Sequence, residues 1–128
     1  MDIEIEIIEP IFTVCQVKDY SQVDLTQPFC FIGKTDQENS LVCPSELVPE
    51  NVIKREDDWR AFRVKGQLDF SLVGILAQIS QALALEGISI FAVSTFDTDY
   101  ILVKYADYDE AVDILTKHGY TIFNYYKY

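Results

Sequence analysis

Residues 69–104, DFSLVGILAQISQALALEGISIFAVSTFDTDYILVK, decide the fold. Leu72, Ile75, Leu76, Ile79 and Leu83 recur at helical spacing, and Gln78, Ser80 and Gln81 fill the opposite face. Ser71 stands where a hydroxyl accepts an orphan backbone N–H at a helix start. Gly87 fits a left-handed helix stop. Residues 88–96 are mostly apolar and predict a well-buried strand. Asp97-Thr98 makes a tight turn, and residues 100–105 form the return strand.

Downstream the pattern continues. Asp107 is a candidate N-cap with Glu110 three residues on. Ala111, Ile114, Leu115 and His118 follow at helical spacing, Gly119 stops the helix, and residues 120–126 form a last strand. Upstream, residues 59–64 (WRAFRV) alternate as a strand. The order strand, helix, strand, strand, helix, strand is the split βαβ, ferredoxin-like pattern. It predicts an α+β domain with two helices on one face of an antiparallel sheet.

The first half is a shorter version of the same plan. Residues 3–8 alternate isoleucine with Glu4 and Glu6, Pro10 interrupts them, and residues 11–17 read as a strand. Residues 19–27 are polar and turn-like, with only Val23 and Leu25 as anchors for a helix. Residues 29–33 and 40–43 predict a hairpin, and residues 44–51 a loop or single helical turn. Residues 54–58 are charged and exposed. Two units are expected, residues 1–58 and 59–128.

Composition narrows the function. With 128 residues and 49% hydrophobic content the chain affords a real core. A net charge of −11 repels a phosphate backbone and an anionic membrane surface, so neither nucleic acid nor membrane is an expected partner. No apolar run approaches the ~20 residues that cross a bilayer. The acidic start MDIEIEIIEP lacks the basic segment of a secretory signal, and a cytoplasmic protein is expected. Cys15, Cys30 and Cys43 are odd in number and form no CxxC, which argues for buried, reduced thiols rather than disulfides or zinc. His118 is the only histidine and suits the end of a helix dipole. Ser71 has no partner base, no glycine-rich phosphate loop occurs, and Glu46, Glu50, Glu56, Asp57 and Asp58 read as a solvated surface. No enzyme, cofactor or metal is expected.

One arrangement suits a small zwitterion. A helix start offers unpaired N–H groups to a carboxylate. Gly74, lacking a Cβ, lets either a ligand or a packed strand come close. Asp97 or Asp99 accepts from an ammonium group, or simply forms the turn. Thr95 and Phe96 add backbone groups and an apolar wall, or serve as plain strand residues.

STFDTDYILVK at residues 94–104, preceded by DFSLVGILAQIS at residues 69–80, resembles the ACT domain. More narrowly it resembles small bacterial tandem-ACT proteins related to the ACT pair of the CASTOR-type arginine sensors. SLVCPSELVPE at residues 40–50 and Trp59 are similar to that family too, and the likeness covers most of residues 10–128. It implies two ferredoxin-like (βαββαβ) ACT units, the first abbreviated. It implies a free amino acid or similar zwitterion held at an interface between ACT units, and no catalysis. With Ser71 from the helix start, it favours Gly74, Ile75, Thr95, Phe96 and Asp99 as ligand contacts. Many ACT domains carry Asp-x-Pro-Gly before the first helix; this chain keeps Asp69 and Gly74 and has no proline between them. That departure motivates an alternative: an interaction module without ligand, whose tyrosine-rich edge (Tyr120, Tyr125, Tyr126, Tyr128) pairs with a protein partner or, as a homodimer, with a copy of itself.

Overall fold

The computed structural model describes residues 3–65 and 74–124. Asp69, Ser71 and Leu72, and the tyrosines Tyr125, Tyr126 and Tyr128, lie outside the described residues. The elements are β1 (Glu4–Val17), β2 (Phe31–Lys34), β3 (Asn39–Pro44), a 3-10 turn (Ser45–Leu47) and β4 (Val52–Val64). Then come α1 (Ile75–Ala84), β5 (Ile90–Ser94), β6 (Asp99–Lys104), a 3-10 turn (Tyr105–Asp107), α2 (Tyr108–Lys117) and β7 (Thr121–Asn124). The fold is α+β, as the hydrophobic periods predict.

The chain divides into two compact units, residues 10–59 and residues 1–9 with 60–128. It passes between them at Glu9/Pro10 and Trp59/Arg60, inside β1 and β4. Residues 1–9, which the sequence alone groups with the first unit, belong to the second.

The smaller unit is built on β2–β3 and β3–β1 antiparallel pairing, with registers Phe31↔Val42 to Lys34↔Asn39 and Phe12↔Pro44 to Gln16↔Ser40. Cys15, Val17, Leu41 and Cys43 form its core, with Tyr20, Val23 and Cys30 packed against them. Residues 10–59 contain no α-helix. Where a helix would stand, Asp19 accepts from the N–H and hydroxyl of Ser21, and Asp24 does the same with Thr26. Such aspartate turns compete with helical bonding.

The larger unit has the chain order βαββαβ from β4 to β7. Its strands lie in the order β7–β1–β4–β6–β5, with β1 parallel to β7 over Glu4↔Thr121 to Ile7↔Asn124. Ile5, Phe62, Val64, Ile101 and Val103 share one core with Ile75, Ile79 and Leu83 of α1 and Ala111, Ile114 and Leu115 of α2. Both helices therefore cover one face of this sheet. Gly87 and Gly119 end the helices at φ 76° and 92°. Beyond them the N–H groups of Ile88 and Tyr120 donate back to Leu83 and Leu115, at 3.0 and 3.1 Å.

Two expectations are corrected. Pro10 does not end the strand. It falls between the stretch of β1 that pairs with β7, Glu4–Ile7, and the stretch that pairs with β3, Phe12–Gln16, so neither pairing requires its missing N–H. Glu6, which alternates with isoleucines in the sequence, is buried, and its carboxylate accepts from Arg63 at 3.2 Å. Residues 90–94 are not well buried. β5 is the last strand in the order, and its residues are half-buried or exposed.

Candidate functional site

Gly74 is the N-cap of α1, with φ 85° and ψ 10°, and no side chain among the described residues caps the helix start. Its carbonyl already accepts from Gln78 N–H at 2.8 Å. Among the described residues nothing lies within 4 Å of where a Cβ would stand. Close helix–sheet packing is therefore not the reason for a glycine here. The left-handed backbone is, since a side chain costs ~1–2 kcal/mol in that conformation. The Ile75 side chain is buried in the core beside Val64 and Ile101, so only its backbone faces the helix entrance.

Thr95 and Thr98 build the β5–β6 turn. The Thr95 N–H and hydroxyl both donate to the Thr98 carbonyl, at 2.8 and 2.9 Å, and the Thr98 N–H donates back to Thr95 Oγ1 at 3.3 Å. Thr98 Oγ1 then donates to the buried carbonyl of Val64 at 2.8 Å, which ties the turn to the end of β4. The sequence places Thr98 in the turn but does not single it out as a site residue. The Thr-x-x-Thr spacing across an Asp-bearing turn was the available signal.

Asp99 begins β6 and accepts from Ser94 Oγ at 2.6 Å. A carboxylate has about four acceptor positions, so this bond leaves capacity for an ammonium group. Phe96 stands at the turn with 82% of its surface exposed. Thus the structure pairs Ser94 with Asp99 and Thr95 with Thr98 by hydrogen bonds, and places Ile75 in one core with β4 and β6. Ser71 lies outside the described residues. Two grooves beside α1, of about 610 and 320 Å³, are lined by other residues: one by Ala84, Gly87 and Ile88, the other by Gln78, Leu85, His118 and Tyr120.

The other reactive groups are occupied. His118 donates its ring Nδ1–H to the Ile114 carbonyl at 2.9 Å. Burial pushes the Cys43 thiol up to about 12, with Cys15 and Cys30 adding to the effect, and burial also raises Cys15 and Cys30. Protonated, buried thiols are poor nucleophiles. Among the described residues no group of three or more His, Cys, Asp or Glu is placed to hold a metal. Nor is any helix among them long and apolar enough to cross a membrane.

The βαββαβ order, the helices on one face and the glycine-started α1 define a ferredoxin-like α+β domain. A sequence profile of the ACT domain matches residues 54–117, and the chain belongs to the ACT domain family, known for regulation through bound amino acids. The chain is similar to the cytosolic arginine sensor for mTORC1 subunit 1 of Rattus norvegicus, 35% identical over 83 residues. That match covers 64% of this chain and 24% of the rat protein, so the chain spans about a quarter of its relative. The solved structure of protein Atu0741 from Agobacterium tumefaciens superposes with a TM-score of 0.86 at 27% identity, covering 100% of this chain and 97% of that one. The ligand-free regulatory subunit of aspartate kinase from Thermus thermophilus shares the fold, with a TM-score of 0.60 at 10% identity over 88% of this chain and 95% of that one.

Proposed function

We propose that the chain is a non-catalytic regulatory domain that binds a free amino acid or similar zwitterion at the start of α1 and the β5–β6 turn. The observation that carries this reading is the left-handed helix start at Gly74, uncapped and open among the described residues. Its orphan N–H groups suit a carboxylate. Asp99 accepts from the ammonium group, and Thr95 and Phe96 supply the wall. A further ACT unit closes the other side. The likeness to an arginine sensor supports an amino acid as the ligand class. Binding regulates by favouring one arrangement of the units over another, and shifts that balance only by its difference in affinity.

Calorimetric titration against the twenty amino acids tests the reading. At least one should bind, and Asp99→Asn should weaken it by about 1.5–3 kcal/mol, the loss of one charge-assisted bond. No heat and no thermal shift with any of them would sink it.

A further inference from the structure

The three cysteines meet in the smaller unit. Cys15 and Cys43 belong to its core, and Cys30 packs against that core. The register of β1 on β3, Thr13↔Cys43 and Cys15↔Leu41, makes Cys15 a diagonal neighbour of Cys43. On the other side of β3 the pairing with β2 begins at Phe31↔Val42. Continuing that register by one residue sets Cys30 directly opposite Cys43. Cys43 therefore stands between two further thiols, one on each neighbouring strand.

Strand geometry decides which two can join. Residues directly opposite in an antiparallel pair have Cα atoms about 4.5–5.5 Å apart, inside the range of ~4.4–6.8 Å that a disulfide spans. Diagonal neighbours lie ~7–8 Å apart, beyond that range. Exposure selects the same pair. Cys15 and Cys43 are 6% and 2% exposed, whereas Cys30 is half-buried. One member of the opposite pair thus meets solvent, and the other lies in the core behind it.

We propose that Cys30 and Cys43 form an oxidative modification site, closed to a disulfide by hydroperoxides and reopened by thiols. The Cys30 thiolate attacks a peroxide oxygen, and the O–O bond breaks. Hydrogen peroxide leaves Cys30 as a sulfenic acid and, with a proton from solvent, releases one water. The Cys43 sulfur then displaces the sulfenic hydroxyl, and its own proton leaves with that hydroxyl as a second water. Two thiols and one peroxide give one disulfide and two waters. Burial keeps both thiols protonated at neutral pH, so closure is slow and answers sustained rather than brief oxidation. The bond lies across the open end of the β2–β3 hairpin and fastens β2, a terminal strand of the sheet order, to β3.

This site lies in the smaller unit and is independent of the proposed amino-acid site, so a failure of either leaves the other standing. Incubation of the full chain with millimolar hydrogen peroxide, followed over hours by intact mass and peptide mapping, tests it. The chain should lose two hydrogen atoms, the bond should map to Cys30 and Cys43, and dithiothreitol should restore both thiols. The oxidised chain should melt roughly 5–12 °C higher, the effect of closing a loop of this length. Cys30→Ser should abolish the bond with circular dichroism unchanged, and Cys15→Ala should leave it intact. A chain that gains oxygen at Cys30 and never forms the bond overturns the proposal. So does a bond to Cys15, a bond formed only between chains, or an oxidised chain that melts no higher than the reduced one.

Discussion

Thr98→Val is the sharpest probe of the β5–β6 turn. The substitution keeps the shape of the side chain and exchanges its hydroxyl for a methyl group. Thr98 is 6% exposed, and its hydroxyl donates to the Val64 carbonyl at 2.8 Å. Losing that bond while leaving a buried carbonyl without its donor costs about 1–3 kcal/mol. The added methyl returns at most ~0.8 kcal/mol. The net loss is about 0.2–2.2 kcal/mol, centred on ~1.2, or roughly 1–9 °C in Tm at ~4 °C per kcal/mol for a chain of this size. Thr98→Ser, which keeps the hydroxyl and loses a methyl, costs only ~0.8 kcal/mol. Thermal and urea unfolding should therefore rank wild type above Ser above Val, against the order of apolarity. Hydrogen exchange adds a local readout. The Thr95 N–H, which donates to the Thr98 carbonyl, should lose protection in the valine variant beyond the global change. A valine variant as stable as wild type would refute the reasoning, because the Val64 carbonyl would then not need its donor.

Phe62 is 1% exposed and its ring stacks on Tyr108 at 5.9 Å, so Phe62→Ala should cost about 3–5 kcal/mol in urea unfolding; a loss below ~1 kcal/mol would contradict its place in the core. Hydrogen bonds from Ser21 and Thr26 hold Asp19 and Asp24 below the ordinary 3.8 of an aspartate. Their unfolded forms take up protons first, so what they add to stability is complete above 3.8 and is lost as pH falls through the lower folded values. The amide shifts of Ser21 and Thr26 should accordingly titrate with midpoints below 3.8, and midpoints above it would remove the aspartate turns. With the Cys43 thiol raised to about 12, iodoacetamide at neutral pH should leave Cys15 and Cys43 unmodified until urea unfolds the chain; rapid alkylation of either in the native protein would contradict their burial.

The larger unit was legible because its signals are local. Helical spacing from Ile75 to Leu83, left-handed glycines at 87 and 119, and a polar turn at Asp97 each act within a few residues. What the sequence hid depends on partners far along the chain. Glu6 alternates with isoleucines like a solvent-facing residue, yet Arg63, 57 positions away, pairs with it and makes its burial affordable. The apolar run of β5 looks like a central strand, because periodicity reports hydrophobicity and not position in the sheet. The parallel pairing of β1 with β7 joins the two ends of the chain, and no short window carries that information. The site divides in the same way. The turn at 95–99 was legible as a turn, whereas its anchor to Val64 spans 34 residues and was not.

Gly74 shows how a structure sorts readings that a sequence leaves level. Close packing, backbone conformation and access for a ligand all predict glycine there. Packing falls away, because the space where a Cβ would stand is open among the described residues. Conformation stands, because φ is 85° at the residue that admits the chain to α1. An Asp-x-Pro-Gly entry would fix its turn with a proline. Here Gly74 takes the left-handed conformation, and no side chain among the described residues caps the N–H groups of α1. Left-handed conformation calls for glycine at this position, and the helix start it opens is clear of neighbours among the described residues.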